Sequence, residues 1–524
     1  MRSFLPLFIL LLSALQLDGQ TVARFLAVDT LNDVVSVFHS SSTSLSGEEN
    51  NIFHAYIFQN SDKNFRYSLG NTKIKRYNSD QLLTGSERCD DSIYIRKVLV
   101  KKDGGLIYVG RTLQNLHFKG IDTLLPFTIY NHDRSFLIET DRDGNTIGFD
   151  AFNTVGSAFL DKEENVLYFT ENDEHFNKIR LYKKDLTGRQ ITLLSTITTQ
   201  QRNEELEVLV NGDYIYVSGG FLGPEVTVGD SLIQTGFAYN TFVAQFSRSG
   251  EFHWLLPVED ITLYRTFLAP APGEGIYWSS TLGDATKIGS FQMNGPNWGG
   301  DFFLARIDAN GEVIWVRECP EHRLTDFMLG NSDAIASDPE GNVVLVGANR
   351  NGIQWDASTL IKNETNAFLS TILVFDKDGN LSSYYTDHQN VYSMTHSVMF
   401  DSGSNFVVSG SFQDAVGFED DSVAMDGYHN YLVYFSPAVL STDNRVLSVT
   451  GHFTVFPNPS GNGAIQIRKT EPEKAVFQLY DIFGRVLREI VSYDQTVTMD
   501  ITGLSKGVYW VKMKGGNASK LIII

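Results

Sequence analysis

The stretch Asp333-Ala-Ile-Ala-Ser-Asp-Pro-Glu-Gly-Asn342-Val-Val-Leu-Val-Gly347 decides the fold. It reads as a short apolar strand over Asp333 to Ser337, a turn at Pro339 and Gly341, and a second strand over Asn342 to Ala348. Moving outward, Ala367 to Phe375 is a third apolar run and Asn380 to Tyr385 a fourth, separated by the tight-turn pair Asp378-Gly379. Such short runs, bounded by Gly, Asp and Asn, form an antiparallel meander and not a helix.

The same pattern recurs along the chain. A turn followed by an apolar strand ending in a small residue appears as Gly105-Leu-Ile-Tyr-Val-Gly110, Asn165-Val-Leu-Tyr-Phe-Thr170, Asp213-Tyr-Ile-Tyr-Val-Ser218, Glu274-Gly-Ile-Tyr-Trp-Ser279 and Asn405-Phe-Val-Val-Ser-Gly410. Taking Tyr108, Tyr168, Tyr216, Tyr277, Leu345 and Val407 as equivalent, the steps are 60, 48, 61, 68 and 62 residues. A turn glycine follows each of the first five, at Gly144, Gly188, Gly250, Gly311 and Gly379, at offsets of 36, 20, 34, 34 and 34. Phe136, Phe242 and Phe303 each stand eight residues before their glycine. Trp254 and Trp315 each stand four residues after theirs, which marks them as core between neighbouring repeats.

Four antiparallel strands in a unit of about 60 residues make one propeller blade. A worn first copy is read at Phe25 to Val28, Val34 to Phe38, Phe53 to Gln59 and Phe65 to Leu69. That gives seven copies between residues 20 and 451, and hence an all-β, seven-bladed β-propeller, with six or eight blades as the alternatives. The copy at Tyr168 is short by about one hairpin and is expected to be a reduced blade. Residues 301–308 (Asp-Phe-Phe-Leu-Ala-Arg-Ile-Asp), Asn310 to Trp315 and Asp338 to Asn342 resemble the SBBP-type propeller repeats of secreted bacterial proteins. That resemblance covers residues 210–435 best and implies a fold, not an activity.

Both ends of the chain have a different texture. Residues 1–19 begin with Arg2, continue through an apolar run from Phe4 to Leu12, and end in small residues. This is the order of a secretory signal peptide, with cleavage expected after Gly19 or, as the alternative, Ala14. No other stretch reaches about 18 consecutive apolar residues, so no transmembrane helix is expected. Residues 452–524 form a third segment of seven short strands, expected to fold as a small Ig-like β-sandwich.

That last segment carries four motifs in order: Val455-Phe456-Pro457-Asn458-Pro459, Leu479-Tyr480-Asp481-Ile482-Phe483-Gly484-Arg485, Leu504-Ser505-Lys506-Gly507-Val508-Tyr509, and Lys520-Leu521-Ile522-Ile523-Ile524. Together they resemble the type A C-terminal sorting domain of the type IX secretion system. The resemblance singles out Pro457, Asn458, Pro459, Asp481, Gly484, Gly507, Tyr509 and Lys520 as its motif residues. It implies a Bacteroidetes bacterium, Sec export, and passage across the outer membrane by the type IX machinery. It also implies removal of the domain by a surface peptidase, with the cargo released or attached to the surface.

Composition narrows the function. With 42 Lys and Arg against 62 Asp and Glu the net charge is −20, which argues against nucleic-acid binding. The only two cysteines, Cys89 and Cys319, could pair in an oxidising compartment, and sequence does not decide whether they meet. Eleven histidines are scattered with no metal-binding spacing, and His388 and His396 read as solvated or hydrogen-bonded. Asp141 to Asn145 and Asp376 to Asn380 have a calcium-loop flavour but sit at the repeat's hairpin turn and read as turns. The adjacent pairs Asp90-Asp91, Glu204-Glu205 and Asp420-Asp421 read as solvated loop charge, because neighbours on a strand point to opposite faces.

No catalytic, metal or cofactor-binding residue is assigned. Trp298, in the glycine-rich loop Asn294 to Gly300, is the one candidate ligand contact, as a sugar-stacking platform or a cover over a neighbouring blade. The expectation is a non-enzymatic surface or secreted protein that binds a glycan or a protein. The alternative is a polysaccharide-degrading hydrolase or lyase with carboxylates in the channel.

Overall fold

A computed structural model describes residues 22–436 and 453–523, apart from internal stretches that include 61–70, 126–133, 295–300, 320–325, 457–459, 470–474, 481–485 and 514–517. Among the described residues every regular element is a β-strand. The chain divides into two compact units, with the boundary between Ala438 and Val439.

The first unit is a series of antiparallel meanders. Taken in chain order, sheet 1 holds Val34–Ser46, Asn51–Asn60, Asn71–Tyr77 and Leu83–Arg88. Sheet 2 holds Ile93–Val100, Leu106–Thr112, Arg134–Thr140 and Thr146–Phe152. Sheet 3 runs from Thr154–Asp161 through Val166–Asn172 and Lys178–Asp185 to Ile191–Thr199. Sheet 4 is Asn203–Asn211, Tyr214–Leu222, Tyr239–Ser247 and Phe252–Glu259. Sheet 5 is Thr266–Pro270, Ile276–Thr281, Phe302–Ile307 and Val313–Glu318. Sheet 6 has a divided first strand, Asp326–Leu329 and Ile335–Ser337, followed by Val343–Arg350, Leu369–Phe375 and Leu381–Thr386. Sheet 7 takes Ser393–Phe400, Phe406–Phe418 and Asp421–Ser436 from the end of the unit, and Val22–Thr30 from its start.

The first strands of these sheets touch in a circuit. Val34–Ser46 lies against Ile93–Val100, and that strand against Thr154–Asp161. Contacts continue through Asn203–Asn211, Thr266–Pro270, Ile335–Ser337 and Ser393–Phe400, and return to Val34–Ser46. Burial follows this arrangement. Second strands are apolar runs buried on both faces, as in Val343–Arg350, where all but the last residue are buried. Fourth strands such as Phe252–Glu259 are mostly half-buried. Each aliphatic in a second strand contributes about 1.5–3 kcal/mol by leaving water.

Two expectations are corrected. Phe25 to Val28 does not open sheet 1; it belongs to Val22–Thr30, which pairs antiparallel with Asp421–Ser436 from Val22 opposite Ser436 to Thr30 opposite His429. An apolar run fits any sheet edge of matching pattern, and periodicity does not say which edge it joins. Phe65 to Leu69 lies outside the described residues. The copy at Tyr168 is short by one hairpin, as expected, but it is not a reduced blade, since sheet 3 has all four strands. What it lacks is a two-stranded hairpin between its second and third strands. Such hairpins occur at Leu116–Phe118 with Ile121–Thr123, Glu225–Val228 with Ser231–Gln234, Lys287–Ile288 with Phe291–Gln292, and Ile353–Gln354 with Leu360–Ile361. The short offset to Gly188 records that omission. The hairpin of sheet 4 fills the gap by pairing Val226–Val228 with Ile197–Thr199 of sheet 3.

The second unit consists of two antiparallel sheets. Phe453–Phe456, Ala464–Lys469 and Thr496–Asp500 form one; Val486–Ser492, Ala475–Tyr480, Gly507–Met513 and Ala518–Ile523 form the other. Ile465, Ile467 and Met499 of the first meet Phe477, Leu479, Val511 and Leu521 of the second in one core. The strict alternation of burial in Ala464–Lys469 and Ala475–Tyr480 is that of strands with one face inward.

Candidate functional site

The repeat's small terminal residue has a structural cause. The first strands of sheets 2, 3, 4 and 7 bulge at corresponding places, between Ile95 and Lys97, Val155 and Ala158, Glu204 and Glu207, and Thr395 and Ser397. In sheet 6 the first strand is divided at the same level, between Leu329 and Ile335. The bulged backbone presses on the second strand. A Cβ on Gly110 would stand 2.9 Å from the Tyr94 carbonyl oxygen, one on Gly347 2.1 Å from that of Met328, and one on Gly410 2.4 Å from that of Met394. Bulges re-aim the side chains beside them, here toward the middle of the circuit.

A charged cluster results. The Lys97 ammonium lies 2.7 Å from Glu207 Oε1 and 3.0 Å from Asp333 Oδ1. Ser157 Oγ donates to the same Glu207 oxygen at 2.8 Å. These four residues come from sheets 2, 3, 4 and 6, so the cluster ties together strands far apart in sequence. Side-chain exposure is 14% for Lys97, 12% for Glu207 and 29% for Asp333, which leaves Asp333 most open to solvent. Burial alone would depress the Lys97 pKa, but the two carboxylates outweigh it and hold the ammonium above its ordinary value.

Beyond the cluster lies a cavity of about 880 Å³, lined by the ends of the first strands and the turns that follow them. Leu99, Phe159, Leu268 and Phe400 reach it half-buried, and Pro270, Pro272 and Pro339 stand exposed around it. Lys162, Asp338 and Asp401 complete its charged lining. Burial lowers the Lys162 pKa. Asp338 accepts from Asn342 N and Nδ2, and Asp401 from Asn405 Nδ2 and the Tyr434 hydroxyl, so both carboxylates are engaged locally.

None of the sequence candidates lies in this cluster. Trp298, Asp90, Asp91 and Asp420 fall outside the described residues. Asp421 accepts the backbone N–H of Phe25 at 3.0 Å and so joins sheet 7 to its N-terminal strand. His388 is exposed, and His396 is buried with Nε2 2.9 Å from Ser411 Oγ. Asp141 and Asp376 are turn residues, as expected. Each receives the backbone N–H and side-chain amide of the asparagine four residues on. The amide of Asn145 is the main cause that lowers the Asp141 pKa. Among the described residues no three His, Cys, Asp or Glu side chains gather closely enough to hold a metal ion. Cys89 and Cys319 are buried in separate cores, and burial pushes the Cys319 thiol pKa up. The missed residues left a partial signal: Glu207 is a charge inside the otherwise apolar run Leu206–Val210, while Lys97 stands beside Arg96 inside Ile93–Val100.

Trp254 and Trp315 do lie between neighbouring sheets. Trp254 Nε1 donates to the Ala309 carbonyl at 3.1 Å, and its ring covers Gly311 of the next sheet. Trp315 repeats this on Lys377 and Gly379 at 3.1 Å. Tyr216 and Tyr277 add a second tie, donating to the carbonyls of Glu274 and Gly341, each at 2.5 Å.

In the second unit Gly507 opens its strand in an exposed position, and Tyr509 is buried with its hydroxyl donating to the Ser505 carbonyl at 2.7 Å. Lys520 pairs with Trp510 across the sheet. Pro457, Asn458, Pro459, Asp481 and Gly484 lie outside the described residues.

Residues 454–524 match the family of secretion system C-terminal sorting domains. This tail indicates export by the type IX secretion system to the cell surface or extracellular space. Among curated proteins none matches the chain. Solved structures with a similar backbone include the β-propeller domain of the Trilobed protease from Pyrococcus furiosus, at 9% identity and TM-score 0.36, covering 72% of this chain and 89% of that one. An ulvan lyase from a new family of polysaccharide lyase is 12% identical, with TM-score 0.40 and coverage of 78% and 97%. Prolyl oligopeptidase B from Galerina marginata is 10% identical, with TM-score 0.40, and matches 84% of this chain but 57% of its own length. At these levels no residue role passes to this chain.

Proposed function

We propose that the first unit is a seven-bladed β-propeller of SBBP-like repeats that acts outside the cell as a non-enzymatic binding module for a glycan or protein. The circuit of seven first strands supports the blade number. In this reading residues 1–19 are a Sec signal peptide and the sorting tail engages the type IX machinery. A surface peptidase then removes the tail, and the cargo is released or anchored.

The observation that carries the non-enzymatic reading is the Lys97–Glu207–Asp333 cluster. A glycosidase needs one carboxyl group that can hold a proton and another that can attack or activate water. Here the two central carboxylates lie 2.7 and 3.0 Å from one ammonium and are engaged in joining strands of different sheets. The test is a screen of the purified protein against a polysaccharide and protein panel, scoring binding together with release of reducing ends. Binding without release is the expected result, and sustained release of reducing ends from any member would overturn it. Deletion of residues 452–524 should trap the protein in the periplasm; normal surface export of that deletion would refute the role of the tail.

A further inference from the structure

We infer that the cavity beyond the Lys97 cluster is a binding site for a peptide segment that presents an amine or guanidinium beside apolar side chains. The inference rests on the binding-module reading above and names its ligand. The walls set the apolar requirement. Leu99, Phe159, Leu268 and Phe400 come from four different sheets and are each left half-buried on one cavity of about 880 Å³, with three prolines exposed at its margin. A cavity of that size takes a short peptide or a drug-sized ligand, and its apolar walls gain by burial.

The charged groups set the polar requirement. Lys97 and Lys162 line the cavity together with Asp333, Asp338 and Asp401, and Lys97 is paired with Asp333 and with Glu207. Among the described residues four carboxylates stand against two ammonium groups, which leaves this part of the site negative. The three N–H donors of Lys97 are met by Glu207 at 2.7 Å, Asp333 at 3.0 Å and Ser157 Oγ at 3.5 Å, so an anionic ligand would have to displace one of them. Burial also disfavours the charged form of Lys162, which weakens the other cation an anion could use. A cationic ligand displaces nothing. It adds to Asp333, the most exposed member of the cluster, and extends the alternation of charge across the floor. A neutral glycan matches the apolar walls poorly, because its hydroxyls would lose water without partners there.

The probe is the tripeptide amide Phe-Leu-Phe with a free amino terminus, compared with its N-acetylated form by titration calorimetry on the full chain. Acetylation removes the charge and leaves the apolar groups. The free amine is expected to bind at least about tenfold more tightly, a difference of about 1.4 kcal/mol. Asp333→Asn should abolish that difference while preserving the residual affinity of the acetylated form. Thermal melting checks that this variant is folded, and the comparison on the unaltered protein stands without it. Equal affinity for both peptides overturns the inference, as does binding of neither at up to about 1 mM. If the protein then binds a polysaccharide, the binding-module reading survives alone; if it releases reducing ends, that reading falls as well.

Discussion

The joints between sheets 4, 5 and 6 differ in kind from the joint that completes sheet 7. In the first group one template is used twice. A tyrosine from the second strand and a tryptophan from the fourth reach the next sheet's turns, as Tyr216 and Trp254 on one side and Tyr277 and Trp315 on the other. All partners lie about one repeat away in sequence. Sheet 7 instead recruits Val22–Thr30, about 400 residues distant, and locks it with main-chain pairing, the Asp421 bond to Phe25 N, and the packing of Phe25 on Phe418 and Tyr431. Local joints can form as each repeat is made, whereas the distant one carries the loop-closure cost of the whole unit.

Removing the distant joint should have the largest effect. Deletion of residues 22–30 strips the outer edge of sheet 7 and uncovers Phe435 and Val433 in addition to the aromatic contacts. The expected loss exceeds about 5 kcal/mol, the low end of what a domain holds. Chemical denaturation should then show no cooperative transition of the first unit; an unchanged midpoint would place the closing contact elsewhere.

A local joint should break more gently. Gly379 has φ +80°, and a Cβ there would stand 2.8 Å from the Trp315 ring. Gly144, at φ +86°, occupies the equivalent turn of sheet 2 with nothing within 4 Å. Alanine at Gly144 should cost about 1 kcal/mol from backbone strain alone. At Gly379 the indole adds to that, for about 2–3 kcal/mol. Equal costs in denaturant titrations would show that the tryptophan joint is not tight.

The smallest effect is one of pH. Burial raises the Tyr216 and Tyr277 phenols from 10.0 to about 12. The unfolded chain then releases these protons near pH 10 and the folded one near pH 12, so stability is intact below pH 10 and falls between those values. The Lys97 ammonium, raised above 10.5, acts in the same direction over higher pH. Tyr277→Phe should reduce the slope of stability against pH in that window by about one proton. An unchanged slope would mean that Tyr277 already ionises near its ordinary pKa in the folded protein.

This contrast also explains what the sequence makes legible. The turns of sheets 4 and 5 are legible because Trp254 and Trp315 each stand four residues after a turn glycine, Gly250 and Gly311, and each ring packs on the turn glycine of the next sheet, Gly311 and Gly379. The tail was legible for the same reason: its motifs are local. The run Phe25 to Val28 does not reveal its place in sequence, because its pairing is long-range and its apolar pattern fits sheet 1 as well as sheet 7. Charges within strands are legible one by one, but their meeting is not, because Lys97, Glu207 and Asp333 come together only after three sheets have closed on one another. Glu204 and Glu205, expected as loop charge, stand instead in the strand Asn203–Asn211, and Glu207, two residues on, is the carboxylate that lies beside Lys97.

Closure by the N-terminal strand is the feature on which the circuit of sheets, and hence the cavity at its centre, depends. Amide hydrogen exchange of Val22–Thr30 in the full-length protein tests it most directly. Its ladder-paired amides should exchange as slowly as those of Phe406–Phe418 in the same sheet, to within about tenfold. Exchange at the rate of unstructured chain, with Phe406–Phe418 still protected, would contradict it.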